Sequence, residues 1–232
     1  SKSKPIQLND FSGNYVYYGV REFGMAAIMN GMALHGGVIP YGGTFLVFAD
    51  YMRPAIRLSA LMKQRVIYIL SHDSIGLGED GPTHQPVETL ASLRAIPNLN
   101  VFRPADPVEV AECWALALAS QSAPSVIALT RQGVPTLRKK HMESNLCESG
   151  GYVISKSDLK PTATIISSGS EVAIAVDVQQ KLAEDNIGVN VVSMPSWEIF
   201  DNQELDYQRS ILGSGLRVGL EAAIEQGWHK YL

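Results

Sequence analysis

Cysteine is almost absent. Cys113 and Cys147 are the only two in 232 residues, too few for a disulfide framework and without the spacing of a metal-ligand set. Cys113 falls in an apolar helical pattern and reads as core, while Cys147 lies in a polar stretch. No apolar run comes near the ~20 residues that a membrane span needs. Ser1 to Asp10 is polar and lacks the apolar centre of a leader peptide. Basic runs are equally scarce. Lys and Arg total 19 against 23 Asp and Glu, a formal net charge of −4, so the chain lacks the electrostatic footprint of a nucleic-acid surface. The only short basic cluster, Arg138, Lys139, Lys140 and His141, reads as a solvated linker face. There is no internal repeat and no low-complexity tract. Together these absences imply no nucleic acid and no membrane as partner, with a cytoplasmic location as the default expectation.

What is present is an ordinary folding composition. Hydrophobic residues are 46% and charged residues 18%, enough apolar material for a core in one or two domains of roughly 150 residues. Apolar runs alternate with helical patterns. Glu22–Leu34 has apolar residues at helical spacing and stops at Gly36-Gly37. Thr44–Phe48 reads as a short strand or turn, and Met52–Gln64 as a helix. Arg65–Leu70 (RVIYIL) is a compact run of the kind buried on both faces of a parallel sheet. After a long loop come a helix (Val87–Ala95), a strand (Leu99–Phe102), a helix (Pro107–Ser120, with Asp106 as cap) and a strand (Val126–Thr130). A polar stretch begins at Gln132. The pattern then restarts with a strand (Ala163–Ser167), a helix (Glu171–Glu184) and strands at Val189–Met194 and Leu216–Leu220. Ala222–Leu232 is expected to be a helix. This alternation predicts an α/β fold with two three-layer α/β/α domains and mainly parallel sheets. The expected division is 1–135, a linker over 136–151, and 152–232.

Three features carry chemistry. The loop HDSIGLGEDGPTHQP, His72–Pro86, holds two histidines and three acids, with glycines and prolines that forbid a regular helix. Loops of that length without a role are uncommon, and the carboxyl end of a parallel strand is where open α/β sheets place ligands. There Asp80 can accept from sugar hydroxyls, and His72 and His84 can donate to hydroxyls or phosphate or move protons. The plain alternative is a polar surface loop. Metal ligation by His72, His84 and Asp80 is disfavoured because their spacing matches no known ligand set. The second feature is Glu22 at the start of an apolar helix, where an acid also complements the helix dipole. The third is the aromatic trio Phe45, Phe48 and Tyr51; taken alone, such a stripe usually belongs to a core.

Read together, YYGVREFGMAAIMNGMALHGG, PYGGTFLVFADYMRPAIRLSAL, SHDSIGLGEDGPTHQPVETLASLRAIPNLNVFRPAD and IALTRQG closely resemble the transketolases, from about Asn14 through Arg131 and more weakly beyond. The resemblance implies a pyrimidine-binding domain followed by part of a C-terminal domain. It further implies the transfer of a two-carbon ketol unit from a ketose phosphate to an aldose phosphate, as in the pentose phosphate pathway. The cofactor is thiamine diphosphate, and the active site is shared between the subunits of a homodimer. Glu22 matches the glutamate that hydrogen-bonds the aminopyrimidine ring. Phe45, Phe48 and Tyr51 match the aromatic wall around that ring. His72 and Arg131 match contacts to the substrate phosphate, Asp80 the reader of a sugar hydroxyl, and His84 another contact in the sugar channel.

There are departures from the family pattern. The residues that hold the diphosphate and the Mg2+ or other divalent metal belong to an N-terminal domain without a counterpart here. The expectation is therefore a chain truncated at both ends and inactive alone. Two alternatives stay open. One is another thiamine-diphosphate enzyme, such as a deoxyxylulose-phosphate synthase or a pyruvate dehydrogenase β-subunit. The other is a non-catalytic half-subunit or dimerisation module.

Overall fold

In the run Val66–Leu70 consecutive side chains enter two different cores, and this sets the architecture. Val66, Tyr68 and Leu70 face one core, and Ile67 and Ile69 the other, the period-2 geometry of a strand covered on both sides. A computed structural model describes residues 3–232. Its first half contains α1 (Glu22–His35), β1 (Tyr41–Phe45), α2 (Ala49–Leu61), β2 (Ile67–Ser71), α3 (Thr89–Arg94), β3 (Asn100–Phe102), α4 (Pro107–Ala119) and β4 (Ser125–Leu129). The strands form one parallel sheet in the order β1-β2-β4-β3. Residues of α1, α2 and α3 fill the core on one face, and α4 covers the other.

The second half contains β5 (Tyr152–Ser155), β6 (Pro161–Ser167), α5 (Glu171–Glu184), β7 (Gly188–Ser193), α6 (Trp197–Asp201), α7 (Leu205–Leu212) and β8 (Leu216–Leu220). Its sheet runs β5-β7-β6-β8, with β5 antiparallel to β7 and the other pairs parallel. Ile165, Val189 and Val191 pack with α5 on one face, and Ile166 and Val192 pack with residues of α6 and α7 on the other. The expected α/β fold with mainly parallel sheets is what the chain forms.

Local signals explain several elements. Asp106 caps α4 by accepting from the backbone N–H groups of Val108 and Glu109 at 3.0 and 2.9 Å, with Pro107 at the first helical position. α1 ends at Gly36 in the left-handed region, φ 79°. A buried polar knot joins α1, α2 and β2. Asn30 donates to the Ala55 carbonyl at 2.9 Å, and the Ser59 hydroxyl meets both the Asn30 side chain and the Tyr68 hydroxyl. Burial pushes the Tyr68 phenol up to about 12 despite the bond from Ser59.

Other elements depart from the sequence reading. The stretch Thr44–Phe48 divides: β1 ends at Phe45, and Leu46–Phe48 form a 3-10 turn leading into α2, which begins three residues before the expected Met52. Ala222–Leu232 is not a helix. It runs through turns with a 3-10 turn at Trp228–Lys230, because Gly227 has φ 92° and Trp228 and Tyr231 are drawn into the second core. Cys147, expected in a polar setting, is fully buried with Cys113. Its hydrogen bond with Cys113, and then burial, hold its thiol far above the ordinary range, so it is no nucleophile. Residues 136–151 run along α4. Leu137 N–H donates to Asp106 at 2.8 Å, and Arg138 pairs with Glu112 at 2.7 Å. Arg138 is thus pinned, while Lys139, Lys140 and His141 stay exposed.

Candidate functional site

Strand register assembles the candidate site. β1 and β2 are parallel, with Phe45 opposite Ser71, so the residue after Ser71 emerges beside Phe45. The rings of His72 and Phe45 stack with centroids 3.6 Å apart and planes 22° apart. β4 pairs with β2 so that Leu129 lies opposite Ser71, which brings Arg131 to the same carboxyl edge. This is the edge where parallel α/β sheets leave a crevice.

From Phe45 a chain of rings leads into α2. Phe48 lies 6.0 Å from Phe45 with planes 12° apart, and Tyr51 lies 6.0 Å from Phe48. The trio does not follow one helical face; it turns a corner from strand through 3-10 turn to helix. Nor is it core. Phe45 and Phe48 are half-buried, and Tyr51 is 66% exposed. His84 joins edge-on, 5.4 Å from Phe48 and 6.2 Å from Phe45. Thr83 and Ser71 hydroxyls lie 2.9 and 3.1 Å from the Nδ1 atoms of His84 and His72.

Glu22, half-buried in the first turn of α1, is on the other wall. α1 and α2 pack together, and at their N-terminal ends they leave a cleft of about 590 Å³ lined by Val20, Arg21, Glu22, Phe23, Gly24, Phe48 and Tyr51. An acid thus shares a mainly apolar cleft with three aromatic side chains, Phe23, Phe48 and Tyr51, an arrangement that suits a flat heterocycle with a polar edge.

The remaining predicted residues are placed less tightly. Arg131 is exposed and lies against the loop at Gly78, where an added Cβ would come 3.4 Å from its guanidinium. Gly78 has φ 97°, so the loop bends here in a conformation that other residues rarely adopt. Asp80 is exposed on the same loop, outside the ring cluster. Among the described residues no group of three or more His, Cys, Asp or Glu is placed to hold a metal ion.

Sequence reasoning missed Asp73 and its partners. His72 has φ 60°, strained for a non-glycine residue at a cost of about 1–3 kcal/mol. The next residue, Asp73, is buried and accepts from Arg103 Nε at 2.9 Å. Burial pushes the Asp73 carboxyl up, against the pull of Arg103. Burial alone would lower Arg103; Asp73, Glu221 and Glu171 overcome this and hold its guanidinium above the ordinary range. Phe23 and Val20, 53% and 92% exposed at the cleft, were also missed; apolar residues left outside the helical core pattern were their only signal.

Both halves of the chain are similar to known proteins. Residues 2–136 match the family model described as the transketolase pyrimidine binding domain, and residues 150–232 match the transketolase-like C-terminal domain. A transketolase of Sinorhizobium medicae is 57% identical over 233 residues, covering 100% of this chain and 34% of its own length. A solved transketolase from Leishmania mexicana is 44% identical with a TM-score of 0.92, and 99% of this chain superposes on 34% of it. A transketolase from Pichia stipitis solved with sedoheptulose-7-phosphate is 43% identical, also at 0.92, with the same coverage. The chain therefore spans about a third of the length of the relatives it matches.

Proposed function

We propose, because this chain belongs to the transketolase family, that it is the part of a transketolase that grips the aminopyrimidine ring of thiamine diphosphate and lines the sugar channel. The observation that carries this reading is the single cleft shared by Glu22, Phe48 and Tyr51. The cleft fits the ring: its volume is ample, and its lining combines aromatic side chains with one acid, Glu22. Residues 1–135 serve as the aminopyrimidine domain and 152–232 as part of the C-terminal domain, joined by 136–151.

When bound, thiamine diphosphate supplies the carbon nucleophile for moving a two-carbon ketol unit from a ketose phosphate to an aldose phosphate. The protein's task is orientation and proton placement. Glu22 holds a proton between its carboxyl group and a ring nitrogen of the cofactor. Phe48 and Tyr51 fix the ring plane, with Phe45 behind Phe48. His72 and Arg131 bind the substrate phosphate, for which the Arg fork is well matched. Asp80 reads a sugar hydroxyl, and His84 adds a contact in the channel. The sugar-phosphate complex of the Pichia stipitis relative supports this substrate class.

The diphosphate and its Mg2+ or other divalent metal belong to the N-terminal domain of a partner subunit in a cytoplasmic homodimer. Val20 and Phe23, which line the cleft, are 92% and 53% exposed, apolar side chains that such a partner would cover. Alone, this chain is inactive. The test is ketol transfer from xylulose-phosphate to ribose-phosphate by the full-length gene product, supplied with thiamine diphosphate and magnesium. Transfer there, and none by the 232-residue chain, is expected. Activity with pyruvate in place of the ketose phosphate would move the assignment to another thiamine-diphosphate enzyme.

A further inference from the structure

We propose that Arg103 is a positioning residue: by holding Asp73 and the second sheet domain at once, it fixes the turn that lays His72 on Phe45. The inference rests on the reading of His72 as a sugar-phosphate contact. It gives residues 152–232 a task in shaping the channel.

The main chain of Arg103 is itself shared between the halves. It follows the short strand β3. Its N–H donates to the Pro195 carbonyl at 2.8 Å, and its own carbonyl accepts from Gly169 N–H at 3.0 Å. The side chain is fully buried and divides its donors. Nε goes to Asp73 Oδ2 at 2.9 Å. Nη1 goes to the Ser168 carbonyl at 3.0 Å, to the Ser168 hydroxyl at 3.3 Å and to the Glu171 carboxylate. Glu221 is 3.7 Å from Nη1 and is itself held by both terminal nitrogens of Arg94 at 2.9 and 2.8 Å. Gly169 leaves room for this side chain, since an added Cβ there would lie 2.7 Å from the guanidinium.

Asp73 has no other side-chain partner among the described residues: its Oδ1 is buried and unbonded. The grip of Arg103 is therefore what locates it. Asp73 follows directly on His72, whose backbone is in the left-handed region, so a shift at Asp73 is passed to the imidazole through one peptide unit. Stability alone does not account for such a cluster, because buried ion pairs are often no more stabilising than apolar packing. Location does. A rigid guanidinium fork can bond two directions together, whereas a lysine ammonium at the end of a flexible stem cannot.

The test uses the ring-proton NMR signals of His72 in this chain, assigned by their loss in His72→Gln. Stacking on Phe45 displaces these signals upfield. Arg103→Lys is expected to remove at least half of that displacement. Tyr152→Phe breaks a different buried contact between the halves, the Tyr152 hydroxyl on Glu109 at 2.7 Å; it is expected to lower the melting temperature while leaving His72 in place. Should Arg103→Lys give no dispersed spectrum, Glu171→Ala is read instead with the same criterion. Unmoved His72 signals in the folded variant overturn the proposal, as does an equal displacement in Tyr152→Phe. In the full-length gene product Arg103→Lys should raise KM for the sugar phosphate about tenfold, the loss of one charge-assisted contact, with a smaller change in kcat. If the unaltered gene product transfers no ketol units, the functional reading fails while the NMR result still decides the role of Arg103.

Discussion

Phe45 and His72 lie face to face, ring centroids 3.6 Å apart, although 26 positions separate them in the chain, because parallel pairing of β1 with β2 ends at Phe45 and Ser71. The contact holds an imidazole whose backbone is otherwise in a strained conformation. Removing the ring should loosen His72 without unfolding a half-buried position. Phe45→Ala is expected to weaken sugar-phosphate binding by about 0.5–1.5 kcal/mol, the worth of one aromatic pair. Steady-state KM in the full-length gene product measures it, and an unchanged KM would show that Phe45 does not position His72.

Glu22 tests the cofactor reading most directly. Glu22→Gln keeps the size of the side chain but cannot hold the proton. Ketol transfer by the full-length gene product should fall by about 10²–10⁴, the usual contribution of a positioned acid–base group. The thermal midpoint of the chain should move little, since Glu22 has no capping role. A variant that keeps most of its rate would show that Glu22 only complements the helix dipole.

Acid should loosen the joint between the two halves. Burial works to raise the Glu221 carboxyl, but its ion pair and hydrogen bonds with Arg94, aided by Arg103, prevail and hold it at about 2, against an ordinary 4.5. A depressed carboxyl contributes stability above its unfolded value, and that contribution is lost as pH falls from about 4.5 through about 2. The amount is about 3 kcal/mol. Glu109 and Glu198 act with opposite sign: burial raises both, so their contribution weakens as pH rises. Urea midpoints taken down the acid limb should fall less steeply in Glu221→Gln than in the unaltered chain. Parallel curves would disprove the assignment.

Gly169 offers a check on the crowding around Arg103. Its φ is 60°, and a Cβ would meet the guanidinium. Gly169→Ala should therefore destabilise by more than about 1 kcal/mol, whereas a strain-free glycine-to-alanine change stabilises by about 0.4–1 kcal/mol, read from denaturant unfolding. A neutral result would mean that Arg103 has room to move.

Much of the architecture was legible in local pattern. RVIYIL announced a strand covered on both faces, and Asp106 followed by Pro107 announced the start of α4; both signals are short-range and steric. β5 went unread because Tyr152–Ser155 follows a polar stretch and pairs antiparallel with β7, a partner some forty residues away. The tail after Leu220 misled because its apolar spacing looks helical. Gly227 and the capture of Trp228 and Tyr231 by the second core override that spacing.

Sequence alone determined the α/β class, the loop from His72 to Pro86 and the family motif, because periodicity and turn chemistry are written in neighbouring residues. Tertiary structure alone decided that Glu22 faces Phe48 and Tyr51 across one cleft, that His72 rests on Phe45, and that Arg103 joins Asp73 to the second sheet. These are matters of register and long-range charge pairing. Burying a charge is favourable only once its distant partners are in place, so no window of neighbouring residues contains that information.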